Sequence, residues 1–205
     1  KHLSLENDFL LIYDEVQTGI GITGKMWAHQ HSCETNCKLE CISHCKSMEP
    51  DVISFGKKTQ CCGIFAGKRL DEIDDHVFKE SSRINSTFGG NLVDMVRFTI
   101  YLEIMENENL VRLVSDNGTY LLSSLASLQN QKSNLVSNVR GKGLFCAFDL
   151  PSSELRDKLI TKVEEEGALI LGCGHRSIRF RPHLNISKNE IDRAMVMIKS
   201  AISKI

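Results

Sequence analysis

The sequence predicts an α/β fold: a mostly parallel sheet layer followed by a smaller α+β unit. Three observations lead there. Two short apolar runs, FLLIY (9–13) and DVISF (51–55), each stop at polar residues, as strands buried on both faces of a parallel sheet do. Helical periodicity takes over from residue 91. Beyond residue 135, strand-like runs alternate with helices. The change of pattern sets a domain boundary near residue 90, giving parts 1–90 and 91–205, and no repeat is present.

Taken in order, FLLIY is the first strand and runs into DEVQTGIGITG. Gly19, Gly21 and Gly24 of that stretch suit a loop whose backbone approaches a ligand closely. DVISF is the second strand, GIFAGKRL (63–70) the third, and a polar helix is expected over 71–79. SSRINSTFGGN (81–91) reads as a loop ending at a helix start. Leu92, Met95, Val96, Thr99 and Ile100 share one helix face, and Leu110, Val114, Leu121, Leu125 and Leu128 another, with a break near MENEN. Strand-like LVSNVRGKGLFCAFDL (135–150), a helix over 152–166 ended by Gly167, strands ALIL and SIRF, and a helix over 188–203 complete the chain. Pro151 before Ser152-Ser153, and the SKNE box at 187–190, mark the last two helix starts.

The 205 residues are 41% hydrophobic and 25% charged, enough for a real core and ordinary for a globular protein. A net charge of −1 gives no electrostatic reason for a nucleic-acid or anionic-membrane partner. No apolar stretch is long enough to span a bilayer, and KHLSLENDFL has no signal-peptide pattern. With eight cysteines in a chain of this kind, the expectation is a reducing, cytoplasmic setting. The chain opens almost directly on a strand, as if entered midway.

One segment interrupts the pattern. HSCETNCKLECISHCKSM (31–48) spaces Cys33, Cys37, Cys41 and Cys45 four apart. On one straight helix these would span about 18 Å at a rise of 1.5 Å per residue. A tetrahedral zinc needs four sulfurs at about 2.3 Å. The geometry therefore favours an exposed insertion, or a fault in the assembled coding sequence, over a metal site. Cys61, Cys62, Cys146 and Cys173 read as small buried apolar residues.

Asp14 and Lys57 both follow apolar strands, so both belong at the carboxyl edge of the sheet, where open α/β sheets bind ligands. From position alone, an aspartate there is more often a cap or loop hydrogen bonder, and a lysine there a surface residue. Together they suit narrower chemistry. A lysine amine can form an imine with an aldehyde, and a carboxylate facing a pyridine nitrogen keeps that nitrogen protonated. Which of Lys57 and Lys58 reacts is left open by chemistry.

The blocks LLIYDEVQTGIGITGKMWAHQ and PDVISFGKKTQCCG, with STFGGN and SIRFRPHL in order after them, resemble the signature blocks of class III aminotransferases, which are fold type I pyridoxal phosphate enzymes. The resemblance covers nearly the whole chain outside 31–48. GKKTQ, STFGGN and RGKGLFCAFDLP are most similar to the lysine 6-aminotransferase branch, with the 4-aminobutyrate branch as near neighbour. It implies the later part of a fold type I large domain plus a small carboxyl-terminal domain, pyridoxal 5'-phosphate as cofactor, L-lysine and 2-oxoglutarate as substrates, and a homodimer with shared active sites. It makes Lys57 the imine-forming lysine and Asp14 the partner of the ring nitrogen. Val16 packs on the ring, and Gln17 meets its phenolic oxygen. Thr87 reaches the phosphate of the neighbouring subunit, ahead of a helix start that itself favours anions. Arg179 holds the substrate carboxylate, whose two oxygens its planar fork can take at once. The alternative for Arg179 is a plain salt bridge; Arg181 is taken as structural, and Lys58 as pointing to a structural ion pair. Family members are longer, and their amino-terminal half has no counterpart here. The 205 residues alone are therefore expected to be inactive, which leaves open a reading as a binding or dimerisation module.

Overall fold

The computed structural model describes residues 1–33, 49–84 and 86–205; the side chain of Cys33 and most of the cysteine-rich segment, with Cys37, Cys41 and Cys45, lie outside the description. The described residues form two units, Lys1–Ile20 with Lys25–Glu108 and Gly21–Gly24 with Asn109–Ile205.

The first unit begins with α1 (His2–Glu6), followed by β1 (Ile12–Asp14), β2 (Val52–Phe55) and β3 (Gly63–Ala66). β1 runs parallel to β2, and β3 antiparallel to it. β1 starts later than the run FLLIY suggests. The buried Asp51 carboxylate accepts the Leu11 amide at 2.8 Å, while the Asp51 amide donates to the Leu11 carbonyl, so side-chain pairing replaces the ladder there. The same carboxylate pairs with Lys1 and Arg69. Phe55 of β2 stacks on Phe65 of β3 at 4.8 Å and on Phe98 at 5.4 Å, with the Trp27 ring edge-on to both Phe55 and Phe65. Phe98 belongs to α2 (Leu92–Asn107), so this helix groups with the first unit, past the boundary expected near residue 90.

Two expectations fail in this unit. Residues 71–79 are turns after a short 3-10 segment, Lys68–Glu72, rather than a helix. Asp71, Glu72, Asp74 and Asp75 would repel one another at helical spacing. The predicted apolar face of α2 is not covered by any described residue: Leu92 is 80% exposed, and Met95, Val96 and Ile100 are also open. The helix packs through Phe98 instead.

The second unit is a four-stranded antiparallel sheet in the order β4–β5–β7–β6, with three helices against it. The elements are α3 (Leu110–Gln131), β4 (Ser137–Lys142), β5 (Phe145–Asp149), α4 (Ser153–Glu165), β6 (Leu171–Cys173), β7 (Ser177–Phe180) and α5 (Lys188–Ile202). Val114, Leu125 and Leu128 of α3, with Phe148, Ile178 and Ile198, lie in one fully buried core, as the predicted face of α3 requires. Gly118 lets α3 approach the β4–β5 turn: a Cβ there would meet the Gly143 backbone at 2.2 Å. Both caps read from the sequence are present. Ser152 accepts the Leu155 amide, and Ser187 and Glu190 form a reciprocal capping box. β6 begins three residues later than ALIL, because the Gly167 amide (φ +92°) and the Ala168 amide still close the end of α4 on the Glu164 and Val163 carbonyls. Cys61 and Cys146 are buried as expected and Cys173 is half-buried. Cys62, expected to be buried, is exposed just ahead of β3. No helix among the described residues is long and apolar enough to cross a membrane.

Asp149 ties three strands. Its buried carboxylate accepts from the Ser177 hydroxyl (2.6 Å), the Asn138 amide (2.8 Å) and the Arg140 guanidinium (2.8 Å). Burial alone would raise its pKa; the three donors outweigh that and hold it at about 2, below the ordinary 3.8. A depressed carboxylate stabilises the fold above its unfolded pKa and stops doing so as it protonates. The contribution, on the order of 2 kcal/mol, is therefore complete above about pH 4 and fades toward pH 2. Asp149→Asn should unfold at lower urea than wild type at neutral pH and lose this part of the acid dependence; an unchanged pH profile would contradict the assignment.

Candidate active site

Parallel pairing sets Asp14 opposite Ser54, and both strands end at one edge. One carboxylate oxygen of Asp14, Oδ1, accepts the Val16 amide and the Ser54 hydroxyl, each at 3.0 Å. Those two bonds, and after them the Lys57 charge, hold the Asp14 carboxyl below the usual carboxylate range, so it is an anion at neutral pH. Its other oxygen takes no hydrogen bond among the described residues and is free to face a protonated ring nitrogen.

Lys57 occupies the turn that leaves β2, closed by the Thr59 amide on the Gly56 carbonyl. Its φ is +35°, which a lysine rarely adopts. The side chain is exposed, so the burial that activates a lysine is not supplied by the described residues. Lys58, expected to point to a structural ion pair, has an ammonium that donates to main-chain carbonyls, those of Gln17 (2.6 Å) and Gly19 (3.0 Å).

Val16 and Gln17 sit half-buried on the loop that leaves β1. Glu15, 3% exposed, holds this loop from inside. Its carboxylate accepts the Ala28 amide (2.7 Å), the His29 amide (2.9 Å) and the Thr18 hydroxyl (3.2 Å), and lies 2.9 Å from His29 Nδ1. Gly19 must lack a side chain, because a Cβ would meet the Glu15 carbonyl and the Trp27 ring at 2.8 Å.

Thr87 is exposed on the turn that precedes α2, and Asn91 caps that helix by accepting the Val93 amide. Among the described residues no hydrogen bond joins Thr87 to Asp14, Gln17 or Lys57. Arg179 belongs to the other unit, on the inner strand β7, opposite Ala147 and Leu171. Among the described residues its half-buried guanidinium has no carboxylate partner, so the salt-bridge alternative finds no support there. With Arg181 it borders a cavity of about 360 Å³ whose remaining lining is apolar, including Leu121, Leu169 and Ile198.

Ser54, Glu15 and Lys58 are the supporting residues that the sequence did not single out for these roles. Ser54 was recoverable from strand register, being two residues after Val52 as Asp14 is after Ile12. The acceptors chosen by Glu15 and Lys58 carry no comparable signal. The first unit thus offers a fixed carboxylate, an accessible primary amine and a helix-start turn with an exposed threonine. Those groups fit an aromatic aldehyde with a basic ring nitrogen and an anionic tail, the chemical description of pyridoxal 5'-phosphate.

The chain resembles known proteins in sequence and in fold. The profile of the family described as Aminotransferase class-III matches residues 1–202. The chain is 43% identical over 202 residues to L-lysine-epsilon aminotransferase of Mycobacterium tuberculosis, covering 98% of the chain and 42% of that protein. A solved structure of lysine aminotransferase from M. tuberculosis, in the internal aldimine form, superposes with a TM-score of 0.87 at 42% identity, covering 99% of the chain and 43% of its own. The 4-aminobutyrate aminotransferase of Dictyostelium discoideum is 33% identical over 192 residues, covering 90% and 35%. The chain spans less than half the length of each.

The Asp14 geometry makes a direct prediction. Ser54→Ala removes one of the donors that stabilise the anion, so the Asp14 pKa should rise toward its ordinary value. Carboxyl-carbon NMR titration measures this, and an unmoved Asp14 would show that the Ser54 bond is idle.

Proposed function

Because the chain belongs to the class-III aminotransferase family, we propose that the protein transfers the ε-amino group of L-lysine to 2-oxoglutarate, giving 2-aminoadipate 6-semialdehyde and glutamate, with pyridoxal 5'-phosphate as cofactor. The observation that carries the reading is the pairing of β1 with β2, which brings the Asp14 carboxylate and the Lys57 turn to one sheet edge. Lysine rather than 4-aminobutyrate as donor is supported by 43% identity to the lysine enzyme of M. tuberculosis, against 33% to the 4-aminobutyrate enzyme of D. discoideum.

The cofactor, when bound, supplies an electron sink for the pair left behind as the substrate carbon loses its proton. Asp14 would hold the ring nitrogen in its protonated form. Lys57 Nζ would take a proton from the amine-bearing carbon and later give one back, acting as general base and then general acid. Val16 and Gln17 would hold the ring and its phenolic oxygen, and Arg179 would take the carboxylate of 2-oxoglutarate in a two-pronged grip. Thr87 serves the phosphate in a second copy, making the protein a homodimer with shared sites. The described cysteines are free thiols, which accords with a cytoplasmic setting.

The test uses the chain joined to the amino-terminal portion of the M. tuberculosis relative. Borohydride should trap a pyridoxal phosphate adduct on Lys57, lost in Lys57→Ala and retained in Lys58→Ala; an adduct mapped to Lys58 would overturn the assignment. Turnover should be faster with L-lysine than with 4-aminobutyrate, and the reverse would select the shorter donor. Arg179→Ala should weaken 2-oxoglutarate by about 2–5 kcal/mol, the cost of leaving a buried charge unpaired, with cofactor binding little changed. Loss of the cofactor with unchanged 2-oxoglutarate affinity would rule out the clamp.

A further inference from the structure

A lysine held at φ +35° needs its surroundings to keep it there. Two neighbours do so. Thr59 is fully buried, and its hydroxyl lies 3.2 Å from the Gly56 carbonyl and 2.8 Å from that of Cys61, which fixes the turn from within. Lys58 fixes it from outside. Its half-buried ammonium reaches some forty positions back along the chain to the carbonyls of Gln17 and Gly19. Those carbonyls belong to the loop leaving β1, whose other anchor is the Glu15 carboxylate. The turn that carries the reactive amine and the loop that carries the ring contacts are thus tied by a charged donor with two acceptors.

We propose that Lys58 is a positioning residue for the reaction: it fastens the Gln17 main chain to the Lys57 turn, so that the Gln17 amide and the Lys57 amine are set relative to each other before the cofactor arrives. This rests on the reading of Lys57 as the reactive amine. The tie needs both reach and charge, so arginine can replace the lysine, whereas methionine, of similar length without a donor, cannot. Preorganisation of this kind improves the reacting geometry without touching the substrate.

Hydrogen–deuterium exchange on the 205-residue chain without cofactor tests the tie. The Val16 and Gly19 amides, bonded to the Asp14 carboxylate and the Glu15 carbonyl, are the reporters, and the β5 amides of the other unit show that folding is intact. Lys58→Met should speed exchange at Val16 and Gly19 about tenfold or more, as the loss of a charged hydrogen bond allows, with β5 unchanged. Lys58→Gln, too short and uncharged, should do the same if the methionine variant proves unstable, and Lys58→Arg should restore protection. Equal exchange in wild type and both neutral variants overturns the proposal. In the enzyme completed by its relative's amino-terminal portion, the pH midpoint of the bound cofactor's absorbance should shift in Lys58→Met and return in Lys58→Arg. An unmoved midpoint overturns the positioning role even where exchange has risen. The exchange result needs no cofactor, so it fails or stands separately from the functional reading, which the Lys57 adduct tests.

Discussion

Parallel pairing of Ile12–Asp14 with Val52–Phe55 makes two strands end on the same side, and that shared edge gathers a carboxylate and an amine far apart in sequence. The register matters as much as the direction. Side chains alternate along a strand, so a slip of one residue would turn Asp14 to the opposite face and separate its Oδ1 from the Ser54 hydroxyl. The aromatic packing of Phe55 against Phe65 and Phe98 holds β2 where this register requires it. The placing of Asp14 beside Ser54 therefore depends on apolar contacts away from that pair.

The second unit solves a different problem. Arg179 stands on an inner strand, hydrogen-bonded on both sides by β5 and β6, and is oriented by a ladder rather than by a loop. The nearby Asp149, Arg140 and Ser177 network joins β4, β5 and β7 with donors and acceptors all matched, which is the condition for a buried polar cluster to strengthen a sheet rather than weaken it.

Much of this was legible in the sequence where local rules decide. The apolar runs located β1 and β2, the leucine spacing located the buried face of α3, and Ser152 and the Ser187–Glu190 box marked two helix starts. Failures came where the tertiary environment or one local detail overrode the pattern. Asp51 displaced the start of β1, and the closing bonds of α4 displaced that of β6. The acidic stretch 71–75 did not form a helix, and the α2 face has no cover among the described residues. At the site, the position of Asp14 followed from strand logic. The choice of Lys57 over Lys58 did not, because adjacent lysines are chemically identical until their surroundings differ. That Lys58 would meet carbonyl groups was beyond any residue-type rule: an ammonium donates to carboxylate and carbonyl oxygens alike, and only the folded loop decides which is near.

The Glu15 carboxylate has a further consequence for how this loop is held. By gathering the Ala28 and His29 amides it closes the loop bearing Val16 and Gln17 upon itself before residue 31, where the cysteine-rich segment starts. A parallel pair needs a long crossover in any case. On its upstream side, the loop that bears Val16 and Gln17 is therefore fastened by contacts made within residues 15–29, close in sequence to Asp14 itself.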